Sequence, residues 1–375
     1  MNKTTIEKAL FILHYSPPVH GASKVGDSIL KSEGINKAFN AQYIKIKSSI
    51  KLDEIGKFNL TKMIFLLSLL VKVSYKLCLF RPKIIYYTAS PSGFAFYRDL
   101  IISIPIKIYS LLLKPKIFYH YHAKGILSFT EHSRLNKKLT NFFLRKANLI
   151  FISKIMKDEI KLLIGYDKVF YLSNGVESKI TDNEFQNIIA NRIIKKKVNI
   201  LYLSNMMREK GFDVVLELAE KLKKNNINNI EINFAGAWKS MSEEEFFNDF
   251  VEKKGLSNFI TYHGLVQGEK KKFLFSNATL FIFPSSYKKE VFPLSVLESL
   301  SFGLPILAYD IGAISEIIND KIGLITNKES IFEDLNKIIN NYQTADIYES
   351  CRNEFLDNYS IDIFEKEIIE ILKSA

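Results

Sequence analysis

Residues 279–318, TLFIFPSSYKKEVFPLSVLESLSFGLPILAYDIGAISEII, change character three times within forty positions. An apolar run rich in β-branched and aromatic residues stops at Pro284, a polar loop SSYKKE follows, and apolar residues then recur at helical spacing until Gly303. A second apolar run, PILAYD, begins at Pro305. This is the pattern of a strand, a helix and a second strand parallel to the first. Pro293 suits the first turn of the helix, where its missing N–H costs nothing. Glu290 then stands on a loop at the carboxyl edge of the sheet, and Glu298 one and a half turns into the helix. The N–H groups of Leu294 and Ser295 would face any anion docked there, favoured by the helix dipole.

The same alternation fills the chain. ALFILHY (9–15), QYIKI (42–46), PKIIYYT (82–88), KIFYHYH (116–122), NLIFIS (148–153) and KVFYLS (168–173) read as buried strands. After a polar stretch at 177–197, which reads as a hinge or linker, come VNILYLS, IEINFAG, FITYHG, TLFIFP, PILAYD and IGLIT. Two doubly wound α/β domains in tandem follow, over residues 1–180 and 198–355, with a closing amphipathic helix in 356–375 capped by Ser360. A length of 375 residues also favours two cores over one.

Composition narrows the function classes. The formal net charge is +12, and the basic excess lies wholly in residues 1–200, with 33 Lys and Arg against 13 Asp and Glu. Such a field suits an anionic surface, lipid or nucleic acid. Lys dominates and no RNA- or DNA-binding motif is present, which argues against nucleic acid. The loop VHGASKVG is not Gly-x-Gly-x-x-Gly and no acid ends the second strand, which argues against a nicotinamide-dependent oxidoreductase. Cys78 and Cys351 are isolated, so no zinc site is expected, and a reduced cytoplasmic compartment fits. The first residues hold an apolar run too short for a signal peptide. Residues 63–80 and 100–114 are interrupted by Lys72, Lys76, Pro105 and Lys107, so neither is expected to span a membrane; each suits a buried helix of the sheet or an interfacial one. Residues 133–149 are the better interfacial candidate, with Leu135, Leu139, Phe142 and Phe143 on one face and basic residues around it.

Two glutamates eight apart are not diagnostic alone, since Glu209/Glu217 and Glu244/Glu252 share the spacing. The flanks are more specific. EVFPLSVLESLSFGLPILA resembles the Glu-x7-Glu motif of the family-4 retaining glycosyltransferases, and HYSPPVHGASKVG, LIFISKIMKDEI, YLSNGV, LSNMMREKGFDVVLE, INFAG and ITYHGLV are similar to that family's other motifs, in its order. The resemblance implies a GT-B fold, two Rossmann-like domains facing across a cleft. It implies a nucleoside diphosphate sugar, UDP- or GDP-linked, as donor and no further cofactor or metal ion. Glu298 would grip the ribose hydroxyls, Glu290 the donor sugar and Lys210 the departing diphosphate. His122 would contact the sugar near the reacting centre, His120 being its rival two residues earlier. Gly21 and Ala22 would cradle the β-phosphate, with Leu294, Ser295 and Gly236 at the nucleotide. Asn205 stands where the family has Arg, so Arg208 is the alternative phosphate ligand. Gly312, Ala313, Ser315 and Glu316 take the place of the family's Gly-Gly loop. The acceptor implied is a polyprenyl diphosphate-linked saccharide of O-antigen or capsule synthesis, handled by a peripheral protein at the cytoplasmic face of the membrane. A nucleotide-sugar 2-epimerase of the same fold is the enzymatic alternative.

Overall fold

The computed structural model describes residues 6–17, 21–46, 60–195, 197–227 and 229–374. Pro18, Val19 and His20 of the first Gly-rich loop lie outside them. Each of the twelve apolar runs forms a strand, and the strands make two parallel six-stranded sheets. Their near-continuous apolar sequences follow from this, because a parallel sheet is covered on both faces.

The described chain divides into two units, one of residues Met1–Asn174 with Ile361–Ala375 and the other of Gly175–Ser360. In the first, β1 (Lys8–Leu13) is followed by α1 (Gly21–Lys31), α2 (Glu33–Ala38) and β2 (Asn40–Lys45). Then come α3 (Leu60–Phe80), β3 (Ile84–Ala89), α4 (Gly93–Leu113), β4 (Lys116–Tyr121), α5 (Ile126–Glu131), α6 (Arg134–Leu144), β5 (Asn148–Phe151) and β6 (Val169–Tyr171). The strand order is β2-β1-β3-β4-β5-β6.

The second unit opens with α7 (Asp182–Lys195), where the polar sequence suggests a hinge. Phe185, Ile189 and Arg192 are buried there, and the Arg192 guanidinium donates to the carbonyls of Phe302 and Phe275 at 2.8 and 3.0 Å. Arg192 is thus a structural cation, its pKa drawn down to about 10 by burial. β7 (Val198–Leu203), α8 (Phe212–Lys224), β8 (Ile230–Ala235), α9 (Met241–Lys253), β9 (Ile260–Tyr262), α10 (Gly268–Asn277) and β10 (Leu280–Phe283) follow. The unit ends with α11 (Leu294–Ser301), β11 (Ile306–Tyr309), α12 (Ile314–Ile317), β12 (Gly323–Thr326), α13 (Ile331–Asn341) and α14 (Ala345–Asn358), in sheet order β12-β11-β10-β7-β8-β9. The closing helix α15 (Ile361–Ser374) returns to the first unit, burying Phe364, Ile368 and Leu372 in a core with Ala9, Phe11 and Ile35.

The long apolar helices differ from a buried-helix expectation. α3 and α4 each bury one ridge and expose an apolar one. On α6 the four apolar residues do not share an exposed face: Leu135 and Phe142 are exposed, whereas Phe143 is buried and stacked on Tyr119 with centroids 4.2 Å apart.

Candidate active site

Strand order creates a site in the second unit before any side chain is considered. β7 and β10 are adjacent and parallel, with Leu280 opposite Ile200, although two further strands separate them in sequence. The chain leaves β7 toward β8 on one side, and leaves β10 toward β11 on the other. Open α/β sheets leave a ligand crevice beyond the carboxyl ends of strands at such a reversal. The loop after β7 carries Asn205, Arg208 and Lys210, and the loop after β10 carries Glu290.

The two loops touch through their backbones. Gly211 has φ +85°, and a Cβ there would lie 2.1 Å from the Pro284 carbonyl oxygen. The Ser286 N–H donates to the Glu209 carbonyl at 2.9 Å. The Tyr202 hydroxyl donates to the Lys210 carbonyl at 3.2 Å. Burial, with Asp213 as a lesser cause, holds that phenol well above its ordinary pKa and therefore a donor. Lys210 Nζ is thereby brought into an ion pair with Glu290 Oε2, only 13% and 12% of the two side chains being exposed. The ammonium also lies 4.8 Å from the centre of the Tyr287 ring.

Glu290 is held from its other side by the loop after β11. Gly312, at φ +60°, would place a Cβ 2.5 Å from the Val291 carbonyl oxygen, and the Ala313 N–H donates to that oxygen at 2.7 Å. Pro293 is the N-cap of α11, one residue earlier than its sequence suggests, so Leu294 and Ser295 open the helix with amides that have no acceptor within it. Glu298 lies on α11 and accepts from Lys271 Nζ of α10 at 2.6 Å, each side chain about a fifth exposed.

The cations of the β7 loop have different partners. Arg208 Nε pairs with Glu243 Oε2 at 3.1 Å, its backbone N–H donates to Glu243 Oε1 at 3.3 Å, and its guanidinium lies 5.0 Å from the Phe246 ring centre. Asn205 is exposed. Gly236 follows β8 at φ +155°, where a Cβ would lie 1.7 Å from the Ser204 carbonyl oxygen, so the chain's own backbone contact demands this glycine.

In the first unit β1 and β3 form the corresponding reversal. Gly21 and Ala22 begin α1, and a Cβ on Gly21 would meet nothing within 4 Å. Packing therefore does not require glycine at 21, whereas a Cβ on Gly26 would lie 1.8 Å from the His14 carbonyl oxygen. Asp99 is fully buried, accepting from the Tyr87 hydroxyl at 2.7 Å and pairing with Arg98 at 2.7 Å. His122 follows β4, partly exposed, its ring centre 4.0 Å from that of His120. His120 is buried and its Nδ1 is hydrogen-bonded to the Tyr86 hydroxyl. Burial, with His122 as a smaller cause, pushes the His120 pKa well below the ordinary histidine value, so it is neutral.

Sequence reasoning passed over Tyr287, Lys271, Glu243 and the Arg98–Asp99 pair. Lys271 is the middle one of three consecutive lysines, and only the fold distinguishes it. The Arg98–Asp99 pair did carry a signal, adjacent opposite charges inside a mostly apolar helix. Among the described residues no three His, Cys, Asp or Glu side chains group to hold a metal ion.

Comparison with known proteins agrees with this geometry. Residues 184–353 match the family model described as "Glycosyl transferases group 1". An uncharacterized glycosyltransferase of Methanocaldococcus jannaschii is 24% identical over 61% of this chain and 60% of its own length. The O-antigen chain mannosyltransferase C of Escherichia coli is 25% identical over 52% of each chain. The chain thus spans about half to three fifths of the length of these curated relatives. Among solved structures, a Rickettsia africae glycosyltransferase superposes with a TM-score of 0.69 at 16% identity over 98% of both chains. Anabaena HepE in complex with UDP gives 0.68 at 14% identity over 98% of this chain and 100% of that one. The chain accordingly has the two-sheet α/β GT-B fold, and its residues 184–353, somewhat under half of the chain, are similar to the group 1 glycosyl transferases.

Proposed function

We propose that the chain transfers a sugar, with retention of anomeric configuration, from a UDP- or GDP-linked donor to a hydroxyl of a lipid-linked saccharide. The observation that carries this reading is the Lys210–Glu290 pair at the carboxyl ends of β7 and β10. A fixed ammonium there is placed to stabilise negative charge growing on a departing diphosphate, and stabilisation of developing charge is commonly the largest single catalytic effect. The opening amides of α11 supply uncharged donors for the same anion. Arg208, held by Glu243, is a neighbouring cation, and Asn205 supplies a neutral donor.

Glu290 serves the donor sugar through its second carboxylate oxygen. Glu298 serves the ribose hydroxyls, because a carboxylate's acceptor positions suit two adjacent hydroxyls. Gly236 acts through the shape it gives the backbone beside the nucleotide. For His122, Gly21 and Ala22 we keep the roles that the resemblance implies, at the sugar and at the β-phosphate. In the reaction the bond from the anomeric carbon to the phosphate oxygen breaks and one to the acceptor oxygen forms on the same face. The acceptor's proton passes to the leaving phosphate, so no protein base is needed. Lys210 takes the electrostatic part that a divalent ion would otherwise play, and EDTA is expected to leave the rate nearly unchanged.

The E. coli mannosyltransferase among the relatives supports an acceptor in surface polysaccharide synthesis, and the UDP complex of Anabaena HepE supports a nucleoside diphosphate donor. We place the protein peripherally on the cytoplasmic face of the membrane. The test is a melting-temperature screen against UDP and GDP, followed by nucleoside diphosphate release from the matching sugars with and without lipid-linked acceptor. Lys210→Ala should lower kcat about a hundredfold or more. An unaltered kcat would remove Lys210 from the chemistry. Epimerised donor without acceptor-dependent release would favour the epimerase.

A further inference from the structure

The first unit leaves a large apolar surface uncovered. α3 turns Leu69, Val73, Leu77 and Phe80 inward and leaves Ile64, Leu67, Val71, Tyr75 and Leu79 exposed, Val71 by 67%. α4 buries Phe96, Ile102 and Ile106 and exposes Phe94, Tyr97, Ile101, Ile104, Ile108 and Leu111, the last by 74%. The exposed positions of α4 recur at alternating steps of three and four, which makes one stripe along the helix. α3 and α4 pack against each other, so the stripes are neighbours. Soluble proteins seldom leave a contiguous apolar patch beyond a few hundred Å² without a partner.

Charge selects the partner. Residues 60–130 contain ten Lys or Arg and a single acid, Asp99, which is fully buried and paired with Arg98. The exposed or half-exposed charges that α3 and α4 themselves carry beside the stripes, Lys72, Lys76 and Lys107, are therefore cationic. A second copy meeting this face would set like charge against like, whereas anionic lipid headgroups complement it. Exposed Tyr75, Tyr97 and Phe94 suit the boundary between headgroups and acyl chains. α3 is, over Met63–Phe80, the one helix among the described residues long and apolar enough to cross a membrane. Crossing would require its inward ridge to leave the core it packs on, while lying in the interface would not.

We propose that the α3–α4 face docks the protein on an anionic phospholipid surface, both helices lying in the plane of the membrane. This rests on the lipid-linked acceptor proposed above and names the surface that brings the enzyme to it. The membrane site is thereby placed on α3 and α4, with α6 at most at its margin, because α6 spends Phe143 on the core.

The full chain is tested by flotation on vesicles of equal phosphatidylglycerol and phosphatidylcholine, and on phosphatidylcholine alone. Wild type should float on the first and bind the second at least about tenfold more weakly, with binding reduced as salt shortens the Debye length. Val71→Glu and Ile104→Glu should each lower binding about tenfold or more at unchanged melting temperature. In a second measurement Ile108→Trp, read against the single native Trp238, should shift its emission to the blue on anionic vesicles. Variants that float like wild type, or an emission unmoved by vesicles, overturn the proposal. So does retention on vesicles through an alkaline carbonate wash, which would indicate a span. A dimer broken by the same substitutions, without flotation, would assign the face to self-association and overturn it too. The two readings fail separately. Nucleotide-induced stabilisation with no flotation refutes this face alone, and flotation without any nucleotide response refutes the proposed transfer while the face stands.

Discussion

The contact between the β7 and β10 loops depends on one missing methyl group, and Gly211→Ala tests whether it sets the chemistry. The residue has φ +85°, a region that costs an L-residue about 1–2 kcal/mol. Its new Cβ would start 2.1 Å from the Pro284 carbonyl oxygen, while real Cβ contacts essentially never fall below 3.0 Å. The loops must therefore part by about 1 Å, and misplacement on that scale costs roughly a hundredfold in rate. Because Lys210 is the adjacent residue and Glu290 follows Pro284, the displacement falls on the ion pair. Stability should drop by about 2 kcal/mol and the melting temperature by roughly 4–8 °C, at about 2–4 °C per kcal/mol for a unit of this size. The assay is calorimetry in parallel with nucleoside diphosphate release from a donor sugar. Gly21→Ala is the control: no atom lies within 4 Å of its Cβ, so stability should hold and only nucleotide affinity should fall if a phosphate approaches there. A Gly211→Ala protein with wild-type turnover would refute the claim that loop contact positions the pair.

Two further predictions concern the first unit. Burial holds the folded-state pKa of His120 below its unfolded value near 6.5, so its contribution is present above that pH and is lost as pH falls toward the folded value. Between pH 6.5 and 5 wild type should lose up to about 2 kcal/mol more stability than His120→Gln, measured by urea unfolding at each pH; parallel curves would show that His120 does not titrate on unfolding. Phe143→Ala, deleting a fully buried ring stacked on Tyr119, should cost about 3–5 kcal/mol, whereas Leu135→Ala on the same helix should cost under about 0.5. Equal losses from the two would contradict the assignment of α6 to the core.

The parts legible in the sequence are those that a local signal specifies. Twelve strands were readable because a strand in a doubly covered parallel sheet must be apolar at nearly every position. Glu298 was placeable on a helix because Pro293 and Gly303 bracket it. What no local signal carries is a partnership between distant residues: Lys210 and Glu290 sit in separate motifs eighty positions apart, and only the order β12-β11-β10-β7-β8-β9 makes their loops neighbours. α7 escaped for a different reason. Its buried face is completed by Arg192, and an arginine spending its hydrogen bonds on the carbonyls of Phe275 and Phe302 looks identical in sequence to one facing water. The outward stripes of α3 and α4 reverse that error. Periodicity separates the two faces of an amphipathic helix by polarity, and here both faces are apolar, so hydrophobicity alone cannot say which one the protein keeps for itself. The distribution of charge can, since cations without acids mark the side that an anionic surface would complete.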